Sequence, residues 1–365
     1  MADLLFEPIT IGTLHLRNRL MRSATAEFLA DPQTGMPLPK LATLYRALAE
    51  GGIGLIVTGH TCVAYSGRTS AHMTAIVSDE FIEPWREVIA PAQEAGARVM
   101  IQINHGGAQV DPSVVPEPLS PSGVRTNMQA VPRPLEEEEI WEIIEAFGQA
   151  ARRAREAGFD GVQIHSAHGY LISQFLSPGT NQRTDRWGGD LERRFTFLRE
   201  VIRAVRAQVG EDFAVWTKLG VAGKAQSGLT VEQGAKIAAW CAQEGLDCIE
   251  ISHAWGIPEE IDQTGEAWFL PLAQEVRRAV GDEYPLALVG GFSTKAKMEE
   301  VLQSGVVQII SLSRPLIAEP DLAAKFARGQ SDKAICIRCD QCRPSEFGQG
   351  IGCYHPTIRE LLEKA

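Results

Sequence analysis

The chain has 365 residues, of which 44% are hydrophobic and 22% are charged. This composition is typical of a globular protein with a large core, and the length fits either two average domains or one large α/β barrel. The formal net charge of −11 argues against nucleic acids and anionic membranes as partners. The sequence contains no run of 18 apolar residues and no basic N-terminus followed by an apolar stretch, so we expect neither a membrane span nor a secretion signal.

The cysteines divide into two groups. Cys62, Cys241 and Cys248 stand alone in apolar or helical surroundings, which is typical of reduced thiols. The other four of the seven cysteines cluster near the C-terminus. The isolated cysteines predict a protein of the reducing cytoplasm.

Short apolar runs recur along the chain, and a loop and a segment of helical periodicity follow each one. The predicted strands are Leu20–Ala24, Ile53–Thr58, Arg98–Ile103, Gly161–His165, Ala214–Leu219, Cys248–Ser252, Leu286–Gly290 and Gln308–Leu312. The predicted helices are Leu38–Glu50, Glu80–Ala95, Leu135–Ala157, Leu191–Val209, Val231–Glu244, Phe269–Val280 and Thr294–Gln303. Eight strand–helix units predict the α/β class and a single (β/α)₈ TIM barrel.

Further local patterns refine this prediction. We expect the barrel to occupy residues 1–330 and a short cysteine-rich tail to occupy residues 331–365. Thr230 and Ser293 are the predicted N-caps of two late helices. No Gly-x-Gly-x-x-Gly follows the first strand and no Walker A motif is present, so the sequence gives no support to a Rossmann or P-loop fold.

Two loops at the predicted strand ends are long enough to cover a pocket. The third, Asn104–Pro134, carries six prolines and predicts an extended lid, and the sixth, His253–Trp268, carries acidic residues and two tryptophans. Active sites of such barrels form at the carboxyl ends of the strands. We therefore expect both loops to border the active site, although a surface insertion without function is the alternative.

The segment from Gly158 to Gly189 carries the densest group of chemical side chains. His165 ends a predicted strand, and His168 and Tyr170 follow on the loop. Two imidazoles at this spacing can direct N–H groups at one oxygen atom, and a phenol beside them can supply a proton. These three residues predict a catalytic site that polarises a carbonyl group for reduction of a conjugated C=C bond, and the alternative is that the histidines only cap a strand.

The strand ends also carry residues that suit a flavin. Small side chains follow the first strand, an amide ends the third, a lysine ends the fifth, and glycines and an arginine suited to phosphate follow the seventh and eighth. The predicted cofactor-binding residues are Ala24, Thr25, Ala26, Gly59, His60, Gln102, His165, Lys218, Gly290, Gly291, Ser313 and Arg314. Together they predict FMN as the cofactor.

The segment GFDGVQIHSAHGYLISQFLSPGTNQRTDRWGG closely resembles the signature of the old yellow enzyme family of FMN-dependent ene-reductases. Weaker matches are FEPITIGTLHLRNRL, QINHGG, VGGF and SLSRPLIAEPDL, so the resemblance covers residues 4 to 330. It implies a reaction in which NAD(P)H reduces FMN, and FMN passes hydride to an α,β-unsaturated carbonyl or nitro compound. It also implies that His165 and His168 bind the substrate oxygen and that Tyr170 donates the proton.

The sequence departs from the family pattern at three positions. The family usually has Thr or Cys where Ala26 stands, an arginine is common where Lys218 stands, and a smaller residue is usual where His60 stands. The resemblance therefore implies a differently tuned flavin potential, and it leaves the surroundings of His60 undefined.

The C-terminal cysteines form a second motif. Cys336, Cys339 and Cys342 follow a C-x₂-C-x₂-C pattern, and Cys353 comes later. Four thiolates in this arrangement predict a 4Fe-4S cluster, with Zn²⁺ or unloaded thiols as alternatives. The motif resembles the cluster segment of 2,4-dienoyl-CoA reductases and trimethylamine dehydrogenase, although the spacing to the fourth cysteine is slightly shorter.

Two other functions fit parts of the sequence. A phosphate-binding aldolase could use Lys218 as a Schiff-base amine, and a flavin and iron–sulfur electron-transfer subunit could depend on a partner for its substrate. We expect a small-molecule substrate in either case. The sequence leaves a homo-oligomeric state open and does not decide between NADH and NADPH.

Overall fold

Eight parallel strands close a barrel in the computed structural model, which describes residues 3–126, 130–344 and 349–364. Its strands are Leu20–Arg22, Leu55–Cys62, Arg98–Asn104, Gly161–Ser166, Ala214–Ala222, Cys248–His253, Leu286–Val289 and Ile309–Leu312. Each strand pairs with the next along the chain, and the eighth pairs with the first through Ile310 and Leu20. Each predicted strand overlaps one of these, so the predicted TIM barrel is confirmed.

Helices follow the strands on the outside of the barrel. Their bounds are Lys40–Glu50, Ile82–Glu94, Glu137–Ala157, Leu171–Leu176, Leu191–Val209, Val231–Gln243, Leu270–Val280, Lys295–Gln303, Arg314–Ala318, Leu322–Ala327 and Pro356–Lys364. Thr230 caps its helix as predicted, because its side chain accepts a hydrogen bond from the Gln233 backbone N–H. The N-cap prediction for Ser293 is wrong: Thr294 caps that helix, and the Ser293 N–H donates to the Glu266 carboxylate instead.

A hairpin near the N-terminus determines which end of the barrel is open. Its strands, Ile9–Ile11 and Leu14–Leu16, pair in antiparallel fashion. The buried side chains of Ile11, Leu14 and Leu16 pack in one cluster with residues from the starts of the barrel strands, such as Leu55 and Ala214. The hairpin therefore closes the amino end of the barrel, and the carboxyl ends of the strands remain available for a site.

Two long loops and the tail surround this carboxyl end. In the third loop, Leu119–Ser120 pairs with Arg133–Pro134, while residues 127–129 lie outside the described structure. In the sixth loop, Trp268 donates its backbone N–H to the Gly290 carbonyl. The tail bonds back to the barrel, since the Ile351 N–H donates to the Glu27 carbonyl. Among the described helices, none is long and apolar enough to cross a membrane.

Candidate active site

A cavity of about 210 Å³ opens at the carboxyl end of the barrel. Residues from the ends of the first, fifth, sixth, seventh and eighth strands line it, as barrel enzymes require. The predicted site residues on its wall are Ala24, His168, Lys218, Gly290, Gly291, Ser313 and Arg314. The structure therefore brings six of the twelve predicted cofactor-binding residues, and His168 of the predicted catalytic set, to one cavity.

The glycine pair forms the floor at one end of the cavity. Gly290 and Gly291 have φ of +132° and +70°, which L side chains rarely adopt. A Cβ on Gly291 would also overlap the indole of Trp268. On the neighbouring strand end, the hydroxyls of Thr25 and Ser313 lie 2.9 Å apart. Backbone N–H groups in a glycine loop of this kind are suited to a phosphate.

A buried polar network lies beneath the cavity. The Lys218 ammonium donates to Ser23 Oγ over 2.7 Å and lies 3.3 Å from Glu250 Oε1. The Gln163 amide donates to Glu250 Oε2 over 2.9 Å and accepts from the Gln102 amide over 2.7 Å. These side chains are almost fully buried, so the network fixes Gln102 and Lys218 in single orientations.

The predicted catalytic side chains are neighbours in space. The ring centroids of His165 and His168 are 5.0 Å apart, and those of His165 and Tyr170 are 4.9 Å apart. In the loop that carries these side chains, His168 adopts the left-handed backbone conformation, with φ of +61°. The structure thus brings two imidazoles and one phenol together at one place.

Hydrogen bonds define which ring nitrogens of the two histidines are available. His165 Nδ1 accepts a hydrogen bond from the Ala167 N–H, so the neutral ring carries its proton on Nε2. His168 Nε2 lies 2.8 Å from the Ser252 hydroxyl. If that hydroxyl donates, His168 carries its proton on Nδ1. Each imidazole then has one N–H left for a ligand.

Burial keeps these groups in their neutral forms. It lowers the pKa of both His165 and His168 well below the ordinary value, and the neighbouring imidazoles and Lys218 act in the same direction. Burial raises the pKa of Tyr170 to about 12, although Arg343 opposes the rise. At neutral pH the site therefore holds two uncharged N–H donors and a protonated phenol.

Some predicted cofactor residues lie away from the main cavity. Ala26 and His60 line a second, much smaller cavity, and burial lowers the pKa of His60 to about 4. Gly59 packs on Glu27 and donates its N–H to that carboxylate over 2.7 Å. His60 nevertheless lies beside the predicted proton donor, with its ring centroid 5.1 Å from that of Tyr170.

Sequence reasoning missed several residues that shape the site. Ser252 orients His168, and the ring of His253 lies 4.6 Å from that of His168. Ser252 and His253 lie at the carboxyl end of the sixth strand, so the predicted position of that strand could have identified both residues. Trp268 and Arg338 line the cavity too, but they come from a loop and from the tail, whose paths no periodicity predicts.

The four C-terminal cysteines share one region of the tail. The pKa of Cys342 is raised to about 11, first by burial and then by the neighbouring thiols Cys336, Cys353 and Cys339. Within residues 3–126, 130–344 and 349–364, however, no three His, Cys, Asp or Glu side chains are grouped closely enough to hold a metal ion. The cluster stays a prediction of the sequence.

The cavity fits the polar groups of FMN. The Ser311 hydroxyl is buried, lines the cavity and has no hydrogen-bond partner in the described structure. A bound ligand with complementary donors and acceptors would satisfy such groups, as buried polar atoms require.

Comparisons with known proteins agree with this geometry. Residues 4–333 match the model of the NADH:flavin oxidoreductase / NADH oxidase family. The chain is 34% identical over 347 residues to an NADH oxidase of Thermoanaerobacter brockii, covering 92% of this chain and 52% of that protein. It is 33% identical over 322 residues to an NADPH dehydrogenase of Geobacillus sp. strain WCH70, covering 88% of this chain and 92% of that protein.

A solved structure of an old yellow enzyme homologue has a similar fold. The old yellow enzyme homologue of Zymomonas mobilis superposes with a TM-score of 0.79 at 27% identity, covering 91% of this chain and 95% of that one. The chain spans about half the length of several curated relatives that it matches.

Proposed function

Because the chain belongs to the NADH:flavin oxidoreductase / NADH oxidase family, we propose that it is an FMN-dependent enzyme that uses NAD(P)H to reduce the C=C bond of α,β-unsaturated carbonyl or nitro compounds. The membership agrees with the resemblance to old yellow enzyme seen in the sequence. The observation that carries the proposal is the arrangement of His165, His168 and Tyr170 around one position. When bound, FMN accepts hydride from the nicotinamide and passes it to the β-carbon of the alkene.

The proposed residues divide between cofactor and substrate. Lys218, Gly291 and Arg314 lie on the cavity wall where the ring, the backbone cradle and the phosphate would be held. His165 Nε2–H and one N–H of His168 donate to the activating oxygen of the substrate. They stabilise the negative charge that develops there as the β-carbon gains hydride, and each such donor contributes ~3 kcal/mol to catalysis in comparable sites.

Tyr170 completes the proton balance of the proposed reaction. Its phenol gives a proton to the α-carbon, so the alkene gains one hydride and one proton in each turnover, and the phenolate recovers a proton from water. The raised pKa of Tyr170, about 12, suits this role because the phenol stays protonated at neutral pH until the substrate carbon becomes basic.

The aldolase alternative has less support. A Schiff base needs an amine that is free to attack a carbonyl carbon, whereas Lys218 Nζ is held in a buried network by Ser23 Oγ at 2.7 Å and Glu250 Oε1 at 3.3 Å. The predicted 4Fe-4S cluster has no part in the proposed reaction, because NAD(P)H can reduce the flavin directly. An electron-transfer subunit remains an outcome of the test described next.

The test combines an absorption spectrum of the purified protein with a measurement of enone turnover. Purified protein should show flavin absorption, release FMN rather than FAD on heating, and reduce 2-cyclohexenone with NADPH or NADH under anaerobic conditions. A colourless protein that cannot be reconstituted with FMN would contradict the proposal. Flavin and iron–sulfur absorption without enone turnover would instead favour the electron-transfer subunit.

A further inference from the structure

The cations of the cavity differ in whether a carboxylate neutralises them. Lys218 pairs with Glu250 at 3.3 Å, and Arg314 pairs with Asp340 at 2.5 Å. Arg338 of the C-terminal tail lines the same cavity. Its described hydrogen bonds go only to the Gly265 and Thr264 carbonyls, which are neutral. Among the residues that the structure describes, Arg338 is therefore the cavity cation without a counter-charge.

Arg338 lies at the phosphate end of the cavity. Its guanidinium carbon is 5.6 Å from the centroid of the Trp268 ring, and that of Arg314 is 5.5 Å from the same centroid. The same indole packs against Gly291 of the glycine pair. The two arginines therefore converge on the tryptophan that borders the cradle, where backbone N–H groups are suited to an anion.

The backbone holds Arg338 in this place at a conformational cost. Its φ is +59°, in the left-handed region that favours glycine. The hydrogen bonds to the Gly265 carbonyl at 2.6 Å and the Thr264 carbonyl at 3.3 Å use two of the five N–H groups, so the guanidinium is oriented while other donors remain available. A strained, oriented and unneutralised arginine at a cavity wall is suited to binding an anionic ligand.

We propose that Arg338 binds the phosphate monoester of FMN, so that the C-terminal tail completes the flavin site of the barrel. A phosphate carries up to two negative charges, and Arg314 alone, shared with Asp340, does not balance them. This inference rests on the proposed function and adds a phosphate ligand from outside the barrel strands. It also gives the tail a role that is independent of its cysteines.

The experiment measures flavin affinity in the full-length chain. Apo-protein is titrated with FMN and with riboflavin, which lacks the phosphate, and binding is followed by the change in flavin fluorescence. Arg338→Gln should raise the Kd for FMN about 10- to 100-fold and leave the Kd for riboflavin unchanged, because a charged hydrogen bond to phosphate is lost. Arg338→Lys should lie between, since it keeps the charge and loses the planar fork.

A matched control separates this effect from a general change of charge. Arg359→Gln removes an exposed cation from the helix of the same tail, away from the cavity wall, and should leave both affinities unchanged. If Arg338→Gln weakens riboflavin as much as FMN, the residue only supports the fold. If the affinity for FMN is unchanged, the proposal is wrong.

A second source of phosphate is tested separately. In FMN-saturated enzyme, the KM for NADPH and the KM for NADH are compared between wild type and Arg338→Gln. We expect their ratio to stay constant. A rise confined to NADPH, with FMN affinity intact, would assign the arginine to the 2′-phosphate on the adenosine ribose of NADPH and overturn the proposal. Failure of the proposed function itself looks different, because wild-type protein would then bind neither flavin.

Discussion

At the scale of single residues, the backbone N–H of Ala167 has a large chemical consequence. By donating to His165 Nδ1, it places the imidazole proton on Nε2. Ser252 holds His168 in a comparable way from the next strand but one. Because burial keeps both rings neutral, each can donate only one ring N–H, and the neighbouring groups decide which.

Replacing both histidines with alanine should separate the two halves of the reaction. The double variant His165→Ala/His168→Ala should lose phenol binding and at least ~100-fold in enone reduction, because the oxyanion loses its donors. Reduction of the flavin by NAD(P)H should remain measurable. Rapid kinetics of each half-reaction checks this, with the exposed His15→Ala as control. Unchanged phenol affinity in the double variant would exclude this role for the pair.

Tyr170→Phe tests the proton donor without removing the ring. Enone reduction should slow by about 10²-fold or more, the usual contribution of a positioned acid. Nitroalkenes should still accept hydride at nearly the normal rate, because the nitronate product is stable without immediate protonation. Tyr65→Phe, which changes a half-exposed phenol elsewhere, serves as control. Equal losses with both substrate classes would indicate that Tyr170 packs rather than donates.

At the scale of elements, a buried carboxylate joins the first two strands and the first helix. Glu27 accepts hydrogen bonds from the Tyr45 phenol at 2.9 Å and the Gly59 N–H at 2.7 Å, and it pairs with Arg22 at 2.8 Å. The side chains of Arg22 and Glu27 are only 4% and 3% exposed, so solvent cannot replace a lost partner. The small Gly59 is required here because a Cβ would overlap the carboxylate.

Removing this carboxylate should destabilise the barrel strongly. Glu27→Ala leaves the Arg22 charge buried without a partner and should lower the free energy of unfolding by about 3–5 kcal/mol. Glu50→Ala, which breaks an exposed ion pair with Arg46, should cost less than about 1 kcal/mol. Urea unfolding of both variants measures the difference. Similar losses in the two variants would show that the buried pair contributes no more than a surface one.

At the scale of the whole molecule, the barrel was predictable because its signal repeats. Eight apolar runs predicted the eight strands, and the rule that active sites form at the carboxyl ends predicted that His168, Lys218 and Arg314 would line one cavity. The sequence did not predict that Gly59 would pack on Glu27 rather than line the main cavity, since that depends on side chains from two strands. The approach of Trp268 and Arg338 depends on irregular backbone, where periodicity carries no information.

The cysteine tail offers a test at the same scale. If Cys336, Cys339, Cys342 and Cys353 hold a cluster, anaerobically prepared protein should contain close to four irons per chain, and Cys339→Ser should lose them. Enone reduction at saturating FMN should survive in that variant, because no described barrel strand extends beyond Leu312 and the Arg338 side chain is kept. Metal analysis and turnover check this together. Protein free of iron and zinc after anaerobic preparation would show that the thiols are unloaded.

The most direct test of the account is a single-turnover measurement. Protein loaded with FMN is reduced anaerobically with one equivalent of NADPH and then mixed with 2-cyclohexenone while flavin absorbance is recorded. We predict complete reoxidation of the flavin, with one equivalent of cyclohexanone formed per flavin. A flavin that NADPH reduces but that neither enones nor nitroalkenes reoxidise would contradict the assignment of this protein as an ene-reductase.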